Sequence, residues 1–298
     1  MTDEIESTLS AGSDACSRRG WLRRLLMAAP ALAAGGCALP PGGLQSAGLG
    51  GAARKAAAKR EFQTGFLASG AAFRYHPYGG QGCAWTSRME STYRANRRDP
   101  RVAYAVKNLH TGAYLAGHQA DLMMNGGSMP KPAVAATLLE KRQGRLTREE
   151  FQHIVYVCDK SINGSWIALM NRLSYADEQR FEWKYGLPDV QILRNAQTPR
   201  FYAEFFERCV NYRLDYGCEL LLEAMRRDQY GFGRLYLPST ITYAGGKTGN
   251  YGEVDHEALF FYYGSTPYAM VLYTKGHFAP AGQQWKLGAM MVGLFREY

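Results

Sequence analysis

Strand-like patterns lie near both ends of the region that follows residue 85, and helical spacing dominates between them. Residues 102–106 and 114–116 alternate around a polar turn, and residues 259–263 and 268–273 flank a Gly-Ser-Thr-Pro turn. Both pairs predict β-hairpins. Apolar positions at helical spacing predict helices at residues 90–98, 133–141, 151–173, 201–212, 219–226 and 284–295.

Strands at both ends and helices in the middle restrict the fold class. An antiparallel sheet assembled from the two ends of the region, flanked by helices and joined to an all-helical subdomain, satisfies this order. We therefore predict an α+β fold for residues 86–298, which by their length form one domain.

Composition supports a globular domain and narrows the range of partners only slightly. The 298-residue chain is 46% hydrophobic and 20% charged, which excludes a disordered or collagen-like protein. Its net charge of +9 favours anionic surroundings, such as lipid headgroups, cell-wall polymers or nucleic acid, without choosing among them. The longest apolar run, residues 25–34, has about half of the roughly 20 residues that a membrane-spanning helix needs.

The N-terminal segment has the order of an export signal. Basic residues 17–23 precede the apolar run, and small residues follow it. Arg18 and Arg19, followed by Trp21, resemble a twin-arginine signal. Cys37, after small residues, is a candidate for lipidation, and residues 31–33 could equally be an ordinary cleavage site. We expect residues 1–37 to direct the protein to the periplasm or cell envelope; the alternative is a basic helix on a cytoplasmic protein.

The segment that follows has the composition of a tether. Residues 38–85 are rich in Gly, Ala and Pro and predict a flexible linker. Six cysteines are too few for a disulfide scaffold. After export, Cys83, Cys158, Cys209 and Cys218 could pair with three connectivities, and Cys158 could equally be a buried thiol.

A serine and a lysine lie three residues apart at the predicted start of a helix. Ser128 and Lys131 would project from one face of that helix. A lysine amine in this position can accept the serine proton, and the helix N-terminus favours developing negative charge. Pro130 and Pro132 fit only a first helical turn. Alone, the pair is better explained by a helix cap and a solvated lysine.

Two further short motifs follow in the chain. Ser161 and Asn163 begin the second helical zone, where they could also be ordinary helix-start residues. Lys247-Thr248-Gly249 precedes the terminal hairpin and would present a cation and backbone groups to a ligand carboxylate. The order Ser-x-x-Lys, Ser-x-Asn, Lys-Thr-Gly is the one that penicillin-recognising serine enzymes require.

With these motifs, residues 100–298 resemble the superfamily of class A β-lactamases and D-alanyl-D-alanine peptidases. The resemblance implies a β-lactamase-like fold and a β-lactam or peptidoglycan-like peptide as substrate. It implies that Ser128 is the acylated nucleophile, Lys131 its base, and Ser161 the relay to the leaving nitrogen. The substrate would be held by Asn163, Lys247, Thr248 and Gly249, and the oxyanion hole would consist of the N–H groups of Ser128 and Asn250.

The sequence departs from the family at several points. Ile162 replaces the usual Asp of the second motif, and the short interval between Ser128 and Ser161 implies an open cleft. The glutamate that class A enzymes use for deacylation has no match in context. Glu178 and Glu182 lie in the right region and are interpreted as solvated helix residues. Acylation would then be followed by slow turnover.

Other interpretations have less support. The segment around Ser128 lacks the second glycine of an α/β-hydrolase nucleophile elbow. Asp255-His256-Glu257 could ligate a metal or supply a triad histidine, but a surface turn is the commoner explanation, and we expect neither metal nor cofactor. Arg234 and Lys275 could add charge near a carboxylate site, but a structural or solvated role is the simpler reading.

Two rival functions stay open. One is a catalytically weak penicillin-binding or envelope-binding protein that retains the fold. The other is a protein that binds DNA or another polymer through charge, which rests on the net charge alone. We favour an enzyme that acts as a monomer in the cell envelope, with no nucleic acid partner.

Overall fold

A computed structural model describes residues 78–79, 84–228, 231, 236–280 and 282–298. The predicted signal, Cys37, Cys83 and Arg234 lie outside these residues. In the described part, no helix has both the length and the apolar character needed to cross a membrane.

Two antiparallel sheets organise the chain. The larger has strand order β1-β6-β7-β8-β2-β3, and β4 pairs with β5 in the smaller one. In the larger sheet, the hairpin of β7 and β8 follows the predicted turn, with Phe260 opposite Ala269. Strand β6 also pairs with β7, with Thr248 opposite Glu257, and this second hairpin was not predicted. The strands are β1 (Tyr78–Gly79), β2 (Val102–Asn108), β3 (Tyr114–His118), β4 (Met124–Asn125), β5 (Ala196–Gln197), β6 (Ile241–Tyr251), β7 (Val254–Tyr263) and β8 (Thr266–Thr274).

Helices cover both faces of the large sheet and form a separate helical layer. The helices are α1 (Ser87–Asn96), α2 (Lys131–Lys141), α3 (Arg148–Asp159), α4 (Asn163–Met170), α5 (Tyr175–Tyr185), α6 (Pro199–Val210), α7 (Cys218–Met225) and α8 (Trp285–Glu297). Helices α1 and α8 pack together on one face, and α6 packs on the other. Because side chains alternate across a strand, β2 sends Val102 and Tyr104 to the first face and Ala103 to the second.

Helix α2 runs through the middle of the helical layer. All its residues from Lys131 to Leu139 are buried, most of them small or apolar. It contacts α3, α4, α5 and α7, so its N-terminal end is held from several sides. A buried helix of this kind gives the first residue, Lys131, a fixed position.

The α+β prediction is confirmed, with two local differences. The predicted helix at residues 151–173 is two helices, α3 and α4, separated by residues 160–162. Helix α5 was not predicted as a separate element. Its start is fixed by a capping box in which Ser174 and Asp177 bond to each other's backbone N–H groups.

The three described cysteines of the predicted disulfide set form no disulfide with one another. Cys158, Cys209 and Cys218 are all buried. The predicted pairing among these three is therefore wrong. The alternative prediction, that Cys158 is a buried thiol, is confirmed.

Candidate active site

The serine of the first motif lies in a tight turn just before α2. Gly127 has a φ of +57°, a conformation that favours glycine, and the Met129 N–H donates to the Gly126 carbonyl at 2.9 Å. Pro130 is the N-cap and Pro132 lies in the first turn, where neither ring disturbs the helix. This turn leaves Ser128 partly exposed while Lys131 is only 1% exposed.

The Lys131 amine joins the first two motifs. Its Nζ lies 2.9 Å from Ser128 Oγ, 2.6 Å from the Ser161 carbonyl oxygen and 3.1 Å from Ser161 Oγ. Asn163 Oδ1 is 2.8 Å away. The structure therefore brings Ser128, Lys131, Ser161 and Asn163 together.

The chemistry of these neighbours fixes the orientation of the amine. Burial, and to a smaller extent the positive charge of Lys247, lowers the pKa of Lys131 from its ordinary value of 10.5 to about 7. A neutral amine has two N–H donors and one lone pair. The Ser161 carbonyl and Asn163 Oδ1 can only accept, so they take the two N–H groups. The lone pair is left for a hydroxyl proton, and Ser128 Oγ is the nearer hydroxyl.

Ser161 separates α3 from α4 in an unusual backbone conformation. Its φ of +56° lies in the left-handed region, which is uncommon for a residue with a side chain. The conformation ends α3 and points both the carbonyl and the hydroxyl of Ser161 at Lys131. Strain of this kind persists where surrounding contacts impose it, often at functional sites.

Substitution of Ser161 by glycine and by alanine should distinguish the effect of backbone strain from the effect of the lost hydroxyl. Ser161→Gly and Ser161→Ala both remove the hydroxyl, but only glycine adopts a positive φ without cost. We expect the glycine variant to melt about 2–4 °C above the alanine variant, which corresponds to about 1 kcal/mol. Both should lose acylation to the same extent. Equal melting temperatures would show that the backbone at residue 161 is unstrained.

The third motif supplies a second buried cation. Lys247 on β6 is fully buried, and its Nζ lies 3.0 Å from Ser161 Oγ and 2.7 Å from the Thr248 carbonyl oxygen. Burial lowers the pKa of Lys247, and the negative charge of buried Asp228 opposes this effect. Because Lys247 donates to Ser161 Oγ, the Ser161 proton is free to point toward Lys131 or a ligand.

Strand β6 lies directly against the turn that bears Ser128. A Cβ at Gly249 would lie 2.3 Å from the Gly126 carbonyl oxygen, and one at Gly127 would lie 3.0 Å from Asn250 N. Only glycine permits these approaches. The backbone of Asn250 therefore sits beside the Ser128 turn, as two N–H donors of an oxyanion hole require.

The two glutamates on α5 are buried, so their interpretation as solvated residues is wrong. Glu178 and Glu182 are each 1% exposed. Burial raises the pKa of Glu178 to about 7 and that of Glu182 to about 8. The negative charge of Asp189 raises both pKa values further, and that of Glu178 also raises the pKa of Glu182. Backbone N–H groups of residues 190–193 oppose these shifts. The loop at residues 187–195 covers these carboxylates. A local sequence pattern does not reveal this burial.

Buried acids of this kind should destabilise the fold as pH rises. Their folded pKa values exceed the unfolded value of 4.5, so stability is full below pH 4.5 and is lost through about pH 7–8. The double variant Glu178→Gln, Glu182→Gln should match the wild type at pH 5 and exceed it at pH 9 by at least about 2 kcal/mol in urea unfolding. Exposed Glu253→Gln is the control. An equal gain at both pH values would contradict this assignment.

Lys131 has no acidic neighbour in the described part of the chain. No ion pair there involves Lys131, and no carboxylate affects its pKa. Instead, the ring of Trp166 on α4 lies 5.8 Å from Lys131 Nζ. Sequence reasoning missed Trp166 and Asp228, because neither belongs to a motif and only tertiary packing places them here.

Two residues that the sequence offered as further site candidates, His256 and Lys275, differ in their exposure. His256 is buried, contrary to the surface turn that the sequence favoured. Lys275 is exposed in the loop after β8, in line with the solvated role. The described residues contain no group of three His, Cys, Asp or Glu side chains that could hold a metal ion.

Comparisons with known proteins concern the family and the fold. A model of the Beta-lactamase enzyme family matches residues 168–285, a range that contains Lys247 and follows Ser128. Among solved structures, a β-lactamase from Chitinophaga pinensis has a TM-score of 0.59 at 14% identity, and a class A β-lactamase from Mycobacterium abscessus has 0.55 at 16% identity. Each match covers 70% of this chain and 97% of the other chain. A search of curated proteins finds no match.

These matches confirm the resemblance to the penicillin-recognising serine hydrolases. The fold of the described domain is that of the class A β-lactamases.

Proposed function

We propose that the protein forms an acyl-enzyme at Ser128 with a β-lactam or a related cell-wall amide. One observation carries the proposal: Lys131 Nζ lies 2.9 Å from Ser128 Oγ with its two N–H groups engaged elsewhere. The amine is thus poised to accept the serine proton at neutral pH. The fold of the class A β-lactamases supports the same reaction class.

Acylation would proceed from Ser128. Lys131 takes the hydroxyl proton as Ser128 Oγ bonds to the carbonyl carbon, and the N–H groups of Ser128 and Asn250 stabilise the oxyanion. The carbon–nitrogen bond then breaks, and the nitrogen receives a proton from Ser161 Oγ. Ser161 regains its proton from Lys131, which lies 3.1 Å away. The lysine returns to its neutral form.

The remaining motif residues would orient the substrate. Lys247 places positive charge behind Thr248 at the edge of the sheet, where a substrate carboxylate would bind. Asn163 is exposed and uses Oδ1 for Lys131, so its amide nitrogen is directed to the substrate amide. Gly249 keeps this edge free of side-chain bulk, because it contacts the Ser128 turn.

A second candidate is a penicillin-binding protein with little turnover. The observation that favours it is the absence of a carboxylate beside Lys131 in the described residues. Both candidates share the acylation step and differ only in the lifetime of the adduct.

We also propose that the protein works in the cell envelope as a monomer. The division into a signal (1–37), a linker (38–85) and a serine hydrolase domain (86–298) supports this location, and Cys37 would carry a lipid anchor if it is processed. The partner would be a β-lactam or a peptidoglycan-like peptide rather than a nucleic acid.

Labelling with a fluorescent penicillin tests the proposal. The wild type and Ser91→Ala should form a labelled band that survives denaturation, because Ser91 is an exposed serine on α1. Ser128→Ala should not be labelled. Labelling of all three proteins would remove Ser128 from its proposed role, and labelling of none would count against acyl transfer with penicillins.

A further inference from the structure

His256 lies at the junction of three segments that border the candidate site. It is 1% exposed on β7, and its ring stacks on Tyr273 of β8 with centroids 4.2 Å apart. Its Nε2 lies 2.7 Å from the carbonyl oxygen of Asn125, and the backbone N–H of Thr274 donates to its Nδ1 at 3.1 Å. Both ring nitrogens are therefore occupied.

The partners determine the form of the imidazole. The Thr274 N–H can only donate, so Nδ1 carries a lone pair. The Asn125 carbonyl can only accept, so Nε2 carries the hydrogen. His256 is thus neutral with its hydrogen on Nε2. A side chain that replaces both bonds must accept a hydrogen bond from the Thr274 N–H and donate one to the Asn125 carbonyl.

These bonds connect the two segments that supply the oxyanion donors. Asn125 opens the turn before Ser128, and its Oδ1 accepts from the Gly127 N–H at 2.9 Å. On the other side, His256 pairs with Gly249 in the β6–β7 register, and neighbouring Asp255 accepts a hydrogen bond from the Asn250 side chain at 2.8 Å. His256 therefore touches the turn and aligns the strand.

We infer that His256 is a positioning residue for the oxyanion hole. Through the Asn125 carbonyl it holds the Ser128 turn against β6, and so sets the distance between the N–H groups of Ser128 and Asn250. It touches no reacting atom. This inference rests on the proposed acyl transfer at Ser128 and adds a residue that none of the three motifs contains.

Two amide substitutions separate the bonds of His256. In His256→Gln the side-chain nitrogen occupies the place of Nε2 and can donate to the Asn125 carbonyl. In His256→Asn the shorter amide reaches only the position of Nδ1 and can accept from Thr274. The glutamine variant should keep most of the acylation rate constant. The asparagine variant should lose about 10²-fold in that constant, as an impaired oxyanion hole does, with little change in the dissociation constant of the non-covalent complex.

The rate constant and the dissociation constant are measured by stopped-flow labelling with a fluorescent penicillin, and hydrogen exchange of residues 124–129 is measured in parallel. The inference predicts that this segment exchanges faster in the asparagine variant and stays protected in the glutamine variant. Equal rate constants and equal exchange in both variants, or a loss confined to the dissociation constant, would overturn it. A wild type that is not labelled at Ser128 would refute the proposed function, and the exchange comparison would still decide whether His256 holds the turn.

Discussion

Lys131→Met should reduce acylation of Ser128 by about 10²–10⁴-fold, the range of a lost general base. The variant replaces a buried amine with an apolar side chain of similar length, so the core around α2 should tolerate it. Among the described residues, Lys131 is the only group found in contact with Ser128 Oγ that can accept its proton, and the variant removes it. Pre-steady-state labelling with a fluorescent penicillin measures the loss.

The pH dependence of acylation should report the same group. Lys131 must be neutral to act as the base, and its pKa is about 7. The acylation rate constant should therefore rise tenfold per pH unit below about pH 6 and level off above about pH 8. Burial favours the neutral form of Lys131. The midpoint of the pH profile therefore lies far below the pKa of a solvated lysine.

Exposed Lys275→Met is the matched control and should leave both the rate and its pH profile unchanged. Thermal melting of both variants verifies that the fold is intact. A Lys131→Met protein that melts normally and is acylated at the wild-type rate would exclude Lys131 as the base.

The second large effect concerns deacylation, which should be slow by about 10²–10⁴-fold relative to an enzyme with a positioned general base. No carboxylate of the described residues acts on Lys131, and Glu178 and Glu182 are shielded from solvent. The Trp166 ring supplies an apolar surface beside the amine, where it cannot activate water. A water molecule would have to be activated by Lys131 alone.

The adduct lifetime is measured after excess β-lactam is removed, by mass spectrometry of the intact protein over time. Glu178→Gln should leave this lifetime unchanged, because the Glu178 carboxylate is buried and does not act on Lys131. Rapid release of the adduct by the wild type, with loss of release in Glu178→Gln, would make Glu178 the missing base and the protein an efficient β-lactamase.

Much of the site was predictable because its parts are local. Two of the three motifs lie at helix starts and the third lies within β6. The order of the motifs constrains the fold more than any one of them does. The hairpins followed from alternation and turn residues. In contrast, the left-handed backbone conformation of Ser161 was not predictable, because a local pattern does not contain its contacts with Lys131.

The burial of polar side chains was also not predictable from the sequence. Glu178 and Glu182 have the spacing of a solvated helix face, yet the loop at residues 187–195 covers them. His256 stands near a strand start, where exposure is common, and is buried because Asn125 and Thr274 meet there. Each case depends on segments distant in sequence, which a local pattern does not contain.

The central claim is that Ser128 is the nucleophile, and peptide mapping after incubation with benzylpenicillin tests it most directly. The account predicts a mass increase equal to one whole penicillin, since opening of the lactam ring expels no fragment, on the peptide that contains Ser128. It also predicts no adduct in Ser128→Ala. An adduct on another residue, or no adduct on a folded protein with Lys131 intact, would contradict the account.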